Sequence, residues 1–470
     1  MWDRIIYWLA LGVITVIRRL PLGFCFALGQ MIGAILWAIL PGYRRLAKAN
    51  LSAAFPEKSR SEIVRLALRH FITLGANAVS AFKIPALSQE DILRIAPIER
   101  LDHIKRNIAQ GKGVVLAINH IGNWELYAQL IFQVPEARFG TVYQALRNKA
   151  IDELINGDRR RLGVATFDRK KGFNQAIALL REPGIVGVLV DQNAGDGGGW
   201  TPFFNRLSST SPLTAALAIR TGSVVVPVAI HTVGFARWRV VLSGEIPYDP
   251  DRPDQLTADI NIVLERQIRE SPPDWFWVHN RWKMPWPNFL TATQKRGTFL
   301  PPAADPAALR PFRIVVRSPN WLGDAVMSIR AARAFKLGRP DARLSVLAPA
   351  KLAALWKSVP EVDTVISFAP RESVFSVAAK LRGKFEVAVL FPNSLRSALE
   401  AWLAGIPRRV GFRGHRRARL LNQIISERKK KQAVKPEHHA DRYWRIAERC
   451  GATEPPELPR RTPQTAGPGI

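Results

Sequence analysis

The chain opens with two apolar stretches. Residues 5–17 carry no charge, Arg18 and Arg19 follow, and residues 22–40 are again uncharged. The second stretch is just long enough to span a bilayer as a helix, whereas the first is too short. A two-pass hairpin would leave Arg18 and Arg19 outside, against the tendency of basic residues to stay in the cytoplasm. We therefore predict membrane-anchoring helices, embedded or interfacial, over residues 1–45; two buried core helices are the alternative.

From about residue 104, short apolar runs alternate with helical patterns. Strands are predicted at residues 114–118, 140–143, 185–190, 224–228 and 238–242, and helices at residues 123–132, 149–162, 174–180 and 212–220. Apolar strands separated by helices are typical of a mostly parallel sheet that is covered on both faces. The pattern predicts an α/β domain over residues 46–297.

A Pro/Ala-rich segment at residues 298–311 is a plausible linker between domains. A second α/β pattern follows over residues 312–455, with a strand at 312–316 and a helix opened by Gly323 and Asp324. Residues 456–470 have the composition of a disordered tail.

The charge of the chain narrows the choice of partners. Lys and Arg exceed Asp and Glu to give a formal net charge of +30, while 47% hydrophobic and 23% charged residues describe a globular protein. Such an excess predicts an anionic partner. No zinc-ligand spacing, basic heptad or RNA-binding motif supports nucleic acid. The 14 tryptophans, several beside Arg or Lys, favour a membrane surface instead.

The cysteine count excludes two kinds of site. Cys25 and Cys450 lie near opposite ends of the chain, so they offer neither a disulfide framework nor a metal site. We expect no metal, and a reducing, cytoplasm-facing location.

The segment after the first predicted strand carries the strongest chemical signal. Residues 119–125 read Asn-His-Ile-Gly-Asn-Trp-Glu, with His120 five positions before Glu125. This spacing does not place both side chains on one helical face. The two can meet if His120 lies in the turn and Glu125 in the first helical turn. The pattern predicts a base oriented by an acid, able to take a proton from a hydroxyl.

This segment resembles the His-x4-Asp/Glu block of glycerolipid-type acyltransferases. More closely, residues 1–287 resemble the late lipid A acyltransferases, the lauroyl and myristoyl transferases of lipopolysaccharide assembly. A lone His-x4-Glu is weak evidence, but an ordered set of further positions accompanies it. The set comprises Arg44-Arg45, Asn50-Leu51, Tyr143, Asn148, Asp152, Arg159, Arg161, Asp168-Arg169-Lys170, Asp191-Gln192, Pro202-Phe203-Phe204 and the run from Trp275 to Lys283.

The resemblance implies transfer of a fatty acyl chain to a hydroxyl of a lipid A precursor at the inner membrane, facing the cytoplasm. The donor would be a thioester of acyl carrier protein or coenzyme A, with no other cofactor. His120 would be the general base and Glu125 would fix its tautomer. Backbone N–H groups near Gly122 and Asn123, at a helix N-terminus, would receive the oxyanion.

Other positions of the resemblance are candidates for binding substrate. Arg159 and Arg161 would bind anionic groups of the acceptor, with a solvated helix face as the alternative. Asp191, at a strand end beside Gln192, would position one of these arginines. His279 and Arg281 are further binding candidates, whereas the neighbouring tryptophans are expected to pack in the core or at the membrane rim.

One departure from the family pattern bears on the acceptor. Family members commonly carry Tyr-Arg-Pro after the strand that follows the catalytic helix, and this chain has Tyr143-Gln144-Ala145. The reaction is less affected than the identity of the lipid. Two alternatives therefore stay open: an acyltransferase for a lysophospholipid or aminolipid, and a non-catalytic lipid-binding scaffold.

The second predicted domain resembles a different family. Residues 317–327, 390–398 and 404–412 look like the first, acceptor-binding half of lipopolysaccharide heptosyltransferases, enzymes with two Rossmann-like halves. In that family the Asp of the Gly-Asp pair is implicated in activating the acceptor hydroxyl, so Asp324 is a candidate site residue. Because the nucleotide-sugar half does not follow before Ile470, we expect no glycosyl transfer from this chain.

Overall fold

A computed structural model describes residues 2–146, 148–426, 438–455 and 457. The chain forms two compact units, the first comprising Met1–Lys283 and Phe299–Ala304, the second Met284–Thr298 and Asp305–Ile470. The division therefore falls earlier than the boundary at residue 297 expected from the sequence, since Phe289 and Leu290 are buried in the second core. The segment read as a linker is also divided. The predicted tail lies outside the described residues, except for Glu457.

Four helices open the first unit: α1 (Trp2–Arg19), α2 (Leu22–Ile39), α3 (Pro41–Ala54) and α4 (Arg60–Lys83). A capping box begins α4, in which the Ser59 side chain accepts from the Glu62 N–H and the Glu62 side chain accepts from the Ser59 N–H. Of the described helices, α2 alone is long and apolar enough to cross a membrane, a property that buried core helices and signal sequences share. Membrane anchoring by these helices therefore stays a prediction.

Glycines hold α2 and α4 at backbone contact. A Cβ atom added to Gly33 would overlap the carbonyl oxygen of Phe71, and one added to Gly29 would overlap that of Gly75. Gly75 on α4 in turn faces the backbone of Gly29 and Gly33. Small residues four positions apart allow this approach, as they do between helices in membranes.

We expect Gly33→Ala to lower the free energy of unfolding by at least about 2 kcal/mol, because the added methyl group meets backbone rather than a movable side chain. Gly12→Ala on α1 is the matched control, since nothing lies within 4 Å of a Cβ at that position. Chemical denaturation of both variants measures the difference. Equal stabilities would show that α2 and α4 are not packed as described.

The remaining elements of the first unit build an α/β layer. Its helices are α5 (Gln89–Ile95), α6 (Asp102–Ala109), α7 (Lys149–Arg161), α8 (Phe173–Arg181), α9 (Leu213–Thr221) and α10 (Pro253–Glu270). Its strands are β1 (Ile98–Glu99), β2 (Val114–Ile118), β3 (Arg138–Tyr143), β4 (Val164–Asp168), β5 (Gly184–Leu189), β6 (Gly199–Phe203), β7 (Arg206–Thr210), β8 (Val224–Gly234) and β9 (Arg237–Leu242). Short 3-10 helices lie at Ile84–Ala86, Trp124–Phe132, Gly195–Gly197 and Pro272–Asp274.

The strand order places chemically useful residues at one sheet edge. Within the described residues the main sheet has seven strands in the order β1-β9-β8-β2-β5-β3-β4, parallel except for the β8–β9 pair. Strands β6 and β7 form a separate hairpin. All five residues of β2 are buried, as expected for a parallel strand covered on both faces. The carboxyl ends of β2 and β5, which are neighbours, lead directly into His120 and Asp191.

The second unit is a smaller parallel sheet. The part of this unit that the structure describes has six strands in the order β12-β11-β10-β13-β14-β15, all parallel. These are β10 (Phe312–Arg317), β11 (Ala342–Pro349), β12 (Thr364–Phe368), β13 (Val387–Leu390), β14 (Arg408–Phe412) and β15 (Gln423–Ile425). The helices are α11 (Leu322–Leu337), α12 (Ala353–Lys357), α13 (Val374–Leu381), α14 (Leu395–Leu403) and α15 (His439–Glu448), with 3-10 turns at Pro306–Ala308, Ala350–Leu352 and Ala418–Leu420. The Rossmann-like α/β class predicted for this unit is confirmed.

Candidate active site

A cavity of about 560 Å³ opens at the carboxyl edge of the main sheet. Residues that follow three neighbouring strands line it: His120 after β2, Gln192 after β5 and Gln144 after β3. Glu125 and Arg159 contribute from the 3-10 helix Trp124–Phe132 and from α7. Four of the positions predicted from the sequence to carry chemistry, His120, Glu125, Arg159 and Gln192, therefore meet in one cleft, because parallel strands end at the same edge of a sheet.

Asp191 pairs with His120 and does not position Arg159 or Arg161, as the sequence had suggested; those two arginines pair with Glu125 and Asp158. The Nδ1 atom of His120 lies 2.6 Å from Asp191 Oδ1, and the His120 backbone N–H donates to Asp191 Oδ2 at 2.7 Å. Burial alone would raise the pKa of the Asp191 carboxyl, but the charge of His120 and the hydrogen bonds from His120 and Trp275 bring that pKa below its ordinary value. A charged acceptor on Nδ1 fixes the tautomer in which Nε2 carries a free lone pair.

Glu125 does not orient His120 as the sequence spacing suggested. Its carboxylate is engaged by Arg159, whose Nη2 donates to Oε1 at 2.7 Å and whose Nε donates to Oε2 at 3.3 Å. The physical reason is that the Asp191 carboxylate occupies Nδ1 from the adjacent strand, while Glu125 faces α7 across the cleft. Both residues still line the same cavity.

The free nitrogen of His120 points towards Gln192. Gln192 Nε2 lies 3.3 Å from His120 Nε2, so the amide donates to the imidazole lone pair. A hydroxyl group in the cavity would take the place of this amide donor. The arrangement can therefore accept a proton at Nε2 while Asp191 stabilises the imidazolium.

Backbone hydrogen bonds join the turn that carries His120 to the start of the Trp-rich segment, which contains Trp275, Trp277 and Trp282. The Phe276 N–H donates to the His120 carbonyl at 3.0 Å, and the Gly122 N–H donates to the Asp274 carbonyl at 3.1 Å. The Gly122 N–H is thus already used and does not face the cavity as the predicted oxyanion donor. Asn123 is buried, with 1% exposure, and is not among the residues lining the cavity. The predicted helix at residues 123–132 is a 3-10 helix, Trp124–Phe132.

Two residues predicted to bind substrate, Arg161 and His279, make other contacts. Arg161 pairs with Asp158, which also pairs with Arg18 on α1, so this part of α7 faces the N-terminal helix. The Nε2 atom of His279 accepts from the Asn193 N–H at 2.9 Å, and burial lowers the pKa of His279 to about 4, so the ring is neutral. Neither Arg161 nor His279 lines the cavity.

Arg281 is fully buried and holds backbone rather than substrate. It donates to the carbonyls of Gln192 and Ser209 and to Thr210 Oγ1. Burial lowers the pKa of its guanidinium to about 10, which still leaves it charged at neutral pH. Arg281 therefore fixes the loop that presents Gln192.

Two features of the site were not predicted from the sequence. Arg169, which was noted only as part of a motif, lines the cavity together with Gln144. A second, narrow cavity of about 60 Å³ continues below Glu125 and Arg159 between β2, β5 and β3. Its walls are mainly apolar, including Leu116, Ile118 and Leu189, and Gly187 leaves space beside Ile118. Within the residues that the structure describes, no group of three or more His, Cys, Asp or Glu side chains could hold a metal ion.

In the second unit, Asp324 lies in the first turn of α11 and faces α15. His439 Nδ1 is 2.9 Å from Asp324 Oδ1, and the Tyr443 hydroxyl donates to the same oxygen at 3.3 Å. Burial, reinforced by the charge of Asp324, raises the pKa of Tyr443 well above its ordinary value. The structure thus places Asp324 in a small polar cluster; an acceptor-activating role stays a prediction.

Comparison with known proteins covers both units. Over 280 residues the chain is 24% identical to the lipid A biosynthesis palmitoleoyltransferase of Escherichia coli K12. The aligned region covers 59% of this chain and 90% of that protein. The lipid A biosynthesis lauroyltransferase of the same strain is 26% identical over 282 residues, with the same two shares. Lipopolysaccharide heptosyltransferase 2 of this strain is 35% identical over 120 residues, or 24% of this chain and 34% of that enzyme.

The family matches agree with these relatives. The glycosyltransferase family 9 (heptosyltransferase) matches residues 374–464, and this chain spans about a third of the length of the heptosyltransferase it matches. The bacterial lipid A biosynthesis acyltransferase family matches residues 1–284, which carry the complete cleft around His120. By this match over more than half of its length, the chain belongs to the bacterial lipid A biosynthesis acyltransferase family.

Proposed function

We propose that the first unit transfers a fatty acyl chain from an acyl thioester to a hydroxyl group of a lipid A precursor. The observation that carries the proposal is the His120–Asp191 pair, whose free imidazole nitrogen lies in a cleft that continues into an apolar cavity. No nucleophile of the protein is needed, because the acceptor alcohol itself attacks the thioester.

In this proposal His120 carries the proton of the acceptor hydroxyl to the leaving thiolate. As the acceptor oxygen attacks the thioester carbonyl carbon, its proton passes to His120 Nε2 and the imidazolium is stabilised by Asp191. Collapse of the tetrahedral intermediate breaks the C–S bond. The departing thiolate takes the proton back from His120, which leaves an ester, a free thiol and the neutral histidine.

Cations in the cleft suit an anionic acceptor. Arg159 is held by the Glu125 carboxylate, so Glu125 acts through Arg159 in this proposal. Arg169 lines the same cavity and has no carboxylate partner in the part of the chain that the structure describes. We assign both guanidinium groups to anionic groups of the acceptor, which are phosphates in a lipid A precursor.

An acidic carrier protein and anionic lipid are the partners that the net charge of +30 favours. The side chains of Ile5, Trp8, Leu9 and Val13 on α1 are exposed and apolar, which suits a helix lying in a membrane interface. We therefore infer a location at the cytoplasmic face of the inner membrane, with the thioester supplied from the cytoplasm.

The direct test supplies purified chain with lauroyl-acyl carrier protein or lauroyl-coenzyme A, together with a lipid A precursor or a lysophospholipid. Mass spectrometry of the lipids identifies the product. An added acyl ester on the lipid A precursor supports the proposal, and the better donor identifies the carrier. Acylation of the lysophospholipid alone would favour the other acceptor class. Binding of the lipids without turnover by either donor would favour a scaffold.

The apolar cavity gives a prediction about acyl chain length. A Cβ atom at Gly187 would lie 2.8 Å from Ile118 Cδ1 and within 4 Å of Thr141, inside the cavity wall. We expect Gly187→Val to move the preferred donor to a chain at least two carbons shorter, with discrimination of about 4-fold per methylene if burial contributes about 0.8 kcal/mol for each. Gly244→Val, where nothing lies within 4 Å of a Cβ, should leave the preference unchanged. Competition among acyl thioesters of different length measures it; an unchanged preference in Gly187→Val would place the acyl chain elsewhere.

A further inference from the structure

The second oxygen of the Asp191 carboxylate has its own pair of donors. Besides the His120 backbone N–H, Asp191 Oδ2 accepts from the indole Nε1 of Trp275 at 2.6 Å. Both Asp191 and Trp275 are 1% exposed. The hydrogen bond is therefore a contact to a charged acceptor without competing solvent, which is the strong kind.

Trp275 is held in register with the turn that carries His120. Ile121 and Trp275 form an antiparallel bridge, flanked by the hydrogen bonds that join His120 to Phe276 and Gly122 to Asp274. The indole also packs against Trp277, with ring centroids 4.5 Å apart and planes at 85°. The indole N–H therefore has a fixed position relative to both members of the His120–Asp191 pair.

The neighbouring tryptophans use their N–H groups differently. Trp277 Nε1 donates to the Pro272 carbonyl at 2.6 Å, and Trp282 Nε1 donates to the Phe203 carbonyl at 3.1 Å. The first bond holds the backbone just before the Trp-rich segment, and the second holds the end of β6. The Trp275 bond differs because it reaches the carboxylate that orients the proposed base.

We propose that Trp275 is a positioning residue that fixes the plane of the Asp191 carboxylate and sets how strongly Asp191 Oδ1 accepts from His120. A donor on Oδ2 withdraws electron density from the carboxylate, which makes Oδ1 a weaker acceptor for the His120 Nδ1–H. Asp191 Oδ1 then stabilises the imidazolium that forms during the reaction less strongly, without giving up its contact with Nδ1. This inference rests on the proposed function of His120.

The test is the pH profile of kcat/KM for the full chain, with Trp275→Phe compared with Trp277→Phe. Phenylalanine keeps an aromatic ring and the backbone hydrogen bonds to the His120 turn, but its side chain has no N–H. In Trp275→Phe the carboxylate becomes a stronger acceptor and the imidazolium is better stabilised, so the acid limb should move to higher pH by about half a unit. The kcat value on the plateau should fall about 10-fold, equivalent to ~1.4 kcal/mol. Trp277→Phe should leave the acid limb in place.

The position of the acid limb does not depend on the amount of active enzyme, so partial misfolding of Trp275→Phe does not obscure the result. Coincident acid limbs for the two variants would overturn the inference. His120→Ala in the same assay separates it from the function on which it rests. If His120→Ala turns over normally, the proposed mechanism is wrong; if His120 is required but the Trp275→Phe limb is unmoved, the role of Trp275 alone is wrong.

Discussion

Replacing His120 with alanine should lower kcat for acyl transfer by about 10²–10⁴-fold, the range that a general base contributes. The loss is expected in kcat rather than in KM, because the imidazole interacts with the proton that moves in the transition state. Steady-state turnover of an acyl thioester with a lipid A precursor, followed by mass spectrometry, measures it.

His103→Ala is the matched control. His103 lies on α6 and is only half-buried, and it is not among the residues that line the cavity. It should keep the turnover of the unchanged chain, and both variants should unfold at the same temperature within a few degrees. A His120→Ala variant that is folded and retains more than a tenth of the activity would remove His120 from the chemistry.

Asp191→Asn should be nearly as damaging, although the exchange preserves shape. Asp191 Oδ2 accepts from two N–H donors, those of His120 and Trp275, so the amide oxygen of an asparagine must take that position. The amide NH₂ group then faces His120 Nδ1, which has to become an acceptor. The proton moves to Nε2, and the ring can no longer act as a base.

The corresponding exchange in a Ser-His-Asp triad lowers kcat about 10⁴-fold, and we expect a loss of at least about 10³-fold here. Asp196→Asn is the control, because Asp196 is exposed in the 3-10 turn Gly195–Gly197. Turnover within tenfold of the unchanged chain in Asp191→Asn would mean that another group fixes the tautomer.

The strand that delivers His120 was predictable from the sequence, but the partner of His120 was not. Local spacing favoured Glu125 because it is close along the chain. Asp191 is 71 positions away, and its proximity follows from the adjacency of β2 and β5, which a periodic pattern does not specify. The short pairs β6–β7 and β14–β15 were also missed, because strands of three to five residues carry little periodicity.

The burial of a polar side chain in the structure shows whether it holds the backbone or reaches the cavity. In the sequence, His279 and Arg281 look like binding groups because they are polar among tryptophans. In the structure Arg281 is fully buried on backbone carbonyls and His279 accepts from the Asn193 N–H. The sequence could not distinguish these cases, since the residue pattern of a cation that binds carbonyl groups is the same as that of a cation that binds substrate.

The glycine contact between α2 and α4 has a consequence for how the enzyme meets its lipids. The glycines place α2 in direct backbone contact with α4. On α4, His70 Nδ1 lies 3.0 Å from the carbonyl of Pro273, just before the residues that hydrogen-bond to the His120 turn. If α2 enters a bilayer, as the sequence predicts, its depth would set the height of the imidazole above the membrane. An acceptor that diffuses laterally would arrive already at that height, so the encounter becomes a search in two dimensions.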